Sequence, residues 1–255
     1  MNPYTTHLNR LEFMVTLACT GRCKHCSEGK HPAAGAFIDG DTAAKAVRDL
    51  CTRYDIQSVM TFGGEPLLYP DAVCKIHHAA REAQIPQRQM ITNGFFSRDP
   101  DQIRQTAFHL ARSGVNDVLL SVDAFHQETI PLEPVKLFAQ AVQEADLSIR
   151  THPAWLVSPA DQNPYNKRTA GILAEFARMG IPESEGNVIF ASGNARKYLG
   201  EYFDPNEEPV SPYREDPADV RAICVSPNGD VLGGNIHQDD ILEIIERYQP
   251  VKTGK

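Results

Sequence analysis

The stretch Cys19-Thr20-Gly21-Arg22-Cys23-Lys24-His25-Cys26 holds three of the chain's six cysteines within eight residues. It follows directly on Leu11 to Ala18 (LEFMVTLA), a short apolar run of the kind that forms a buried strand. Unrelated cysteines scattered along a chain do not gather this closely. Where thiols stay reduced, cysteines at such spacing act as ligands or catalysts rather than as disulfide partners. A loop of thiols at the end of a strand therefore sets the frame for the rest of the sequence.

Outward from this loop, short apolar runs alternate with helical periods. Asp41 to Tyr54 reads as a helix with Val47, Leu50 and Tyr54 on one face and Asp41 as N-cap. Ser58 to Phe62 reads as a strand ending in a Gly-Gly turn. Pro70 to Gln84 is a helix stopped by Pro86. Gln89 to Thr92 is a strand, Asp101 to Ser113 a helix closed by Gly114, and Val118 to Val122 a strand. Val135 to Ala145 is the next helix. Leu147 to Arg150 starts a fifth strand running on towards Leu156. Thr169 to Met179 is a helix, and Val188 to Ala191 a sixth strand. Repeated βα units imply a parallel sheet. Six do not close an eight-stranded barrel, so the predicted fold is α/β, a partial (βα)6 TIM-like barrel. Functional residues then belong where strands end and loops begin.

Beyond about Gly193 the texture changes. Pro205, Pro209, Pro212 and Pro217 punctuate a polar stretch that reads as an extended loop. Ala222 to Val225 and Asp230 to Leu232, joined by Pro227-Asn228-Gly229, read as a β-hairpin, followed by a helix over Asp239 to Tyr248. The reading is a barrel over residues 1–195 and a C-terminal hairpin-and-helix extension over 196–255.

The 255 residues are 42 % hydrophobic and 23 % charged, a globular profile long enough to bury a core without disulfides. The formal net charge of −8 argues against general affinity for nucleic acid or an anionic membrane. Met1 to Arg10 lacks the apolar core of a secretory signal, and no apolar run reaches the ~20 residues that cross a bilayer. The expected location is cytoplasmic.

Thiolates at this spacing suit two kinds of centre. A structural zinc site prefers four protein ligands, and no fourth follows at knuckle spacing unless His25, His31 or Cys224 serves. A four-iron cluster makes different use of three thiolates, leaving its fourth iron open to a substrate.

The CxxxCxxC spacing of Cys19, Cys23 and Cys26 resembles the signature of the radical S-adenosylmethionine (SAM) superfamily. The resemblance implies a [4Fe–4S] cluster on these cysteines, with SAM chelated at the open iron. It implies reductive cleavage of SAM to methionine and a 5′-deoxyadenosyl radical, which abstracts hydrogen from a substrate. His25, just before the last cysteine, is then expected near cluster and adenine. Gly63-Gly64-Glu65-Pro66 resembles the family's GGEP motif, in which glycines admit close approach and Glu65 offers a carboxylate to the SAM ammonium. Thr92-Asn93-Gly94 resembles the family's TNG segment. Ser121 and Asp123 stand where relatives meet the SAM ribose or carboxylate, against a plain role in turn capping. Arg150 would pair with the SAM carboxylate, or else form a salt bridge. Gly193-Asn194-Ala195 resembles a Gly-Arg-Ala segment near adenine, with a different central residue.

The segment from Cys224 to Val231 is similar to the start of a SPASM or twitch extension. Such extensions bind auxiliary clusters through several cysteines, and here Cys224 stands alone, which points to a reduced remnant. Cys224 is a candidate hydrogen-atom donor, and His126 a candidate substrate contact; for Cys224 the plain alternative is a buried apolar cysteine. Cys51 and Cys74 read as core residues, and His77 and His78 as surface or satisfied residues. The implied partners are a peptide or small-molecule substrate and a flavodoxin or ferredoxin as reductant. Two other readings stay open: a glycyl-radical-enzyme activase, and a non-catalytic zinc or iron–sulfur module.

Overall fold

A computed structural model of the chain describes residues 2–204, 206 and 211–250. Pro205 and Pro209 of the proline-punctuated stretch lie outside the described residues. The first half follows the predicted rhythm: β1 (Arg10–Met14), α1 (Gly40–Cys51), β2 (Ser58–Phe62), α2 (Pro70–Glu82), β3 (Gln87–Thr92), α3 (Pro100–Ser113), β4 (Asp117–Leu120), α4 (Leu132–Glu144) and β5 (Ser148–Thr151). Then come β6 (Ala154–Trp155), α5 (Pro164–Arg178), β7 (Asn187–Val188) and α6 (Gly193–Tyr198). The tail adds β8 (Ala222–Val225), β9 (Asp230–Val231), β10 (Gly234–Asn235) and α7 (Ile241–Arg247).

The main sheet has six strands in the order β5-β4-β3-β2-β1-β8, every pair parallel. It is a partial barrel, open between β5 and β8. Its sixth strand differs from the prediction. The fifth strand does not run on to Leu156: β5 stops at Thr151, and Pro153, which has no N–H to donate, follows before β6. β6 pairs with β7 in a two-stranded sheet, and a parallel bridge between Thr151 and Glu183 ties the chain leading into β7 to the end of β5, so the predicted strand near Val188 flanks the barrel edge without joining the six-stranded ladder. The place beside β1 goes to β8, with Ile223 opposite Leu11 and Cys224 opposite Glu12. The Pro227-Asn228-Gly229 turn does form, closed by Gly229 N–H on Ser226 O at 2.9 Å. The antiparallel hairpin, however, is β9 with β10. The N-cap of α1 is Asp39 rather than Asp41; its carboxylate accepts the Thr42 N–H at 2.8 Å.

Alternation along the strands sorts the two faces. Leu11, Phe13, Val118, Leu120, Ile223 and Val225 face the helices and are buried with Val47, Leu50, Val73 and Ile76. Each such side chain contributes about 1.5–3 kcal/mol through burial. Ile241, Ile244 and Ile245 of α7 join the same core, and the Asn2 side-chain amide donates to Ile245 O at 2.8 Å. Residues of the extension are therefore built into the barrel core. The opposite face carries a cross-strand row of Cys224, Glu12, Met60, Gln89 and Asp117. None of the described residues forms a helix long and apolar enough to cross a membrane.

Candidate active site

The loop after β1 is held by two internal turns, Cys26 N–H on Cys23 O and Gly29 N–H on Cys26 O, and by bonds to other segments. Cys19 N–H donates to Pro32 O at 3.1 Å, and the Gly63-Gly64-Glu65 turn after β2 packs beneath the loop, Gly64 N–H on Thr16 O at 2.7 Å and Glu65 N–H on Ala18 O at 2.8 Å. A Cβ on Gly64 would be driven into the Ala18 carbonyl, and one on Gly63 into that of Thr16. Both positions demand glycine because the turn lies flat against the loop.

A cleft of about 520 Å³, open mouth included, lies at the carboxyl ends of the strands. Cys19, Cys23, Cys26, His25, His31, Gly63, Gly64, Asn93, Ser121 and His126 line it. Cys19 and Cys23 are buried and Cys26 half-buried. Burial, aided by the Glu65 charge, pushes the Cys19 thiol up to about 11. Burial and the Asp123 carboxylate push Cys23 well above the usual thiol range. The Asn93 side-chain amide reaches Cys19 Sγ at 3.7 Å, and Gly21 N–H donates to it at 3.3 Å. His25 is held below its usual range, near 4, by burial. Its ring packs on Phe125 and His126 at centroid distances of 5.1 and 4.8 Å. Its Nδ1 is buried without a partner among the described residues.

Other predicted site residues do different work. Glu65 is fully buried and does not line the cleft; its carboxylate takes Leu67 N–H, Thr92 Oγ1–H and Asn93 N–H at 2.9, 2.7 and 2.8 Å. Pro66 starts a buried 3-10 turn. Asp123, buried too, accepts Phe125 N–H, His126 N–H and Ala154 N–H, and its Oδ2 holds His126 Nδ1 at 2.8 Å. The carboxylate that the sequence offered to ribose thus closes a turn and orients a histidine. Arg150 is not brought to the cleft: its guanidinium turns back along the sheet to Asp117 at 2.7 Å, taking the salt-bridge alternative. Gly193 lies against the carbonyls of Cys26 and Ser27, Ala195 is buried in a small apolar cluster with Phe125 and Leu156, and neither lines the cleft wall. Cys224 is exposed on the sheet face opposite the helices, one residue short of the end of β8. Crowding in that trough, with Glu12 beside it, pushes its thiol up to about 12. Cys74 is buried in the core and Cys51 packs against it. His77 is buried on Thr61 Oγ1 at 2.9 Å, while His78 is exposed beside Glu82.

Two residues gain roles the sequence did not assign. His31, which the sequence offered only as a possible fourth zinc ligand, stands 2.9 Å from Cys26 Sγ through Nε2 and donates from Nδ1 to Leu17 O at 2.7 Å. Asn194 bonds to three loop carbonyls, and the hint was its departure from the expected arginine.

The donor set fits a metal cluster. Three soft thiols share one cleft, two of them resisting ionisation through burial and through the nearby charges of Glu65 and Asp123, a cost that a bound cation removes. Cys23, His25 and His126 also bring ligand atoms within 4.8 Å of one another. Fold and site together define an open α/β barrel that presents a three-cysteine loop at its strand ends.

Residues 13–146 match the Radical SAM superfamily model, and the chain belongs to that superfamily. Its members are enzymes that bind a [4Fe–4S] cluster and SAM. A GTP 3′,8-cyclase of Streptomyces coelicolor is 29 % identical over 121 residues, 46 % of this chain and 34 % of that protein. The chain thus matches about a third of the length of this curated relative. Streptococcus suis SuiB bound to S-adenosylmethionine superposes with a TM-score of 0.57 at 16 % identity, over 94 % of this chain and 65 % of that one. The anSMEcpe structure with bound AdoMet gives 0.58 at 13 % identity, over 93 % and 80 %. Both likenesses are likenesses of fold.

Proposed function

We propose that the chain cleaves SAM reductively and uses the product radical on a peptide or other small substrate. The observation that carries this reading is the convergence of Cys19, Cys23 and Cys26 on the cleft walled by Gly63, Gly64, Asn93 and Ser121. When bound there, a [4Fe–4S] cluster supplies the electron that breaks the S–C5′ bond of SAM. The three cysteines hold it, and the Gly63-Gly64 backbone with the polar groups of Asn93 and Ser121 forms the wall available to SAM. His25, kept neutral and apolar in its packing, excludes water on the Phe125 side. We read His126, which lines the same cleft with its Nδ1 tied to Asp123, as a substrate contact. Cys224 keeps its proton at neutral pH, the state needed for donating a hydrogen atom. We read residues 196–255 as a reduced extension of the SPASM or twitch type, and a flavodoxin or ferredoxin as the reductant.

A peptide substrate is supported by the anSMEcpe structure with a bound Cp18Cys peptide, TM-score 0.58, and a nucleotide by the cyclase relative. The test is anaerobic reconstitution with iron and sulfide, then dithionite and SAM. The expected result is four irons per chain, an EPR signal altered by SAM, and 5′-deoxyadenosine as product. Cys19→Ala, Cys23→Ala and Cys26→Ala lose iron and product together, whereas Cys224→Ala keeps both. Uptake of one zinc with no iron, on Cys23, His25 and His126, overturns the reading.

A further inference from the structure

We infer that Asn194 is the positioning residue of the cysteine loop, fixing the backbone at Cys23 and Cys26 and so setting how firmly a cluster is retained. The inference rests on the reading that this loop holds the cluster. Residues 19–30 form no helix or strand; local turns, Cys26 N–H on Cys23 O at 3.4 Å and Gly29 N–H on Cys26 O at 3.2 Å, are supplemented by bonds from elsewhere. Three come from Asn194. Its backbone N–H donates to Cys26 O at 2.9 Å. Its side-chain amide donates to Cys23 O and to Gly29 O, both at 3.1 Å. Ser192 Oγ adds a bond to Ser27 O at 3.2 Å.

The chemistry of the contact selects asparagine. Two carbonyl oxygens on opposite sides of the loop face one side chain, so that side chain must offer two N–H donors on a short stem. Aspartate has the same shape but presents acceptors to acceptors, and serine offers one donor. Gly193 makes the approach possible: at φ +50° it lies against the carbonyls of Cys26 and Ser27, and a Cβ there would be driven into both. The clamp also stands on firm ground. Ala195 is fully buried with Phe125, Leu156 and Leu199 in a second apolar cluster. Phe125 in turn carries the His25 ring, so one small core braces the loop from two sides.

The experiment compares wild type with Asn194→Ala, Asn194→Asp and the milder Asn194→Ser. Hydrogen exchange of the metal-free proteins is read over residues 19–30 and over the helices. Release of iron from the reconstituted proteins to a chelator is timed alongside. The expected result is faster exchange confined to the loop and iron release accelerated on the order of 10- to 100-fold in Asn194→Ala and Asn194→Asp, with Asn194→Ser between. Unchanged loop exchange, or exchange raised equally throughout the chain, overturns the clamp. Equal iron retention in all four proteins overturns its bearing on the cluster. If wild type itself takes up no iron, the proposed function fails, while the exchange data still decide the clamp.

Discussion

Glu65 and Asn93 are joined across the ends of β2 and β3: the Glu65 carboxylate accepts the Asn93 backbone N–H at 2.8 Å. Thr92 Oγ1–H and Leu67 N–H complete the set at 2.7 and 2.9 Å. Burial pushes this carboxyl up to about 7, and the three donors pull the other way. Glu65→Gln puts an amide N–H against one of these donors. The expected loss is about 1–3 kcal/mol in metal-free protein, read by urea denaturation. Intact stability with a selective loss of SAM affinity would instead assign Glu65 to the ligand.

The glycines of the same turn make a sharper contrast. Gly64→Ala forces a methyl into the Ala18 carbonyl, and both partners are backbone, so neither gives way. A loss of about 3 kcal/mol or more is expected. Gly171, exposed inside α5, has open space around it. Gly171→Ala should therefore gain up to about 1 kcal/mol from helix propensity. Thermal unfolding of the pair measures both signs at once.

Arg150 is half-exposed and committed to Asp117, which also accepts from Gln89 Nε2 at 2.7 Å. Arg150→Ala is expected to cost at most about 1 kcal/mol and to leave SAM affinity unchanged by calorimetry on reconstituted protein. A marked fall in SAM affinity would mean that the guanidinium swings to the cleft when SAM binds.

Part of the acid sensitivity should trace to His77, alongside the buried His25. Burial, with Arg88 nearby, lowers it from 6.5 to about 3, so the folded chain holds it neutral while the unfolded chain protonates it below 6.5. Between these values the unfolded state binds the extra proton, and stability falls as pH falls, by about 1.4 kcal/mol per pH unit for this one group. His77→Gln should flatten the stability–pH curve between pH 6.5 and 3 by that slope. An unchanged slope in urea melts across this window rejects the assignment.

The sequence by itself determined the local features. Short apolar runs and helical periods marked β1 to β4 and α1 to α4 to within a few residues, because both are written in consecutive side chains. The three-thiol loop was legible for the same reason: Cys19, Cys23 and Cys26 are neighbours in the chain. Tertiary structure alone decided which distant segments meet. β8 is apolar and turn-bounded like any strand, but only the vacant edge of β1, far back along the chain, selects a parallel pairing over a hairpin. Asp123, Arg150 and Glu65 are charged residues that must find partners once buried or half-buried, and the partner is whatever the fold brings nearest: His126, Asp117 and the Thr92-Asn93 strand end. Asn194 reaches Cys23 and Gly29 for the same reason, since the carbonyls it satisfies lie beside it only in the folded chain.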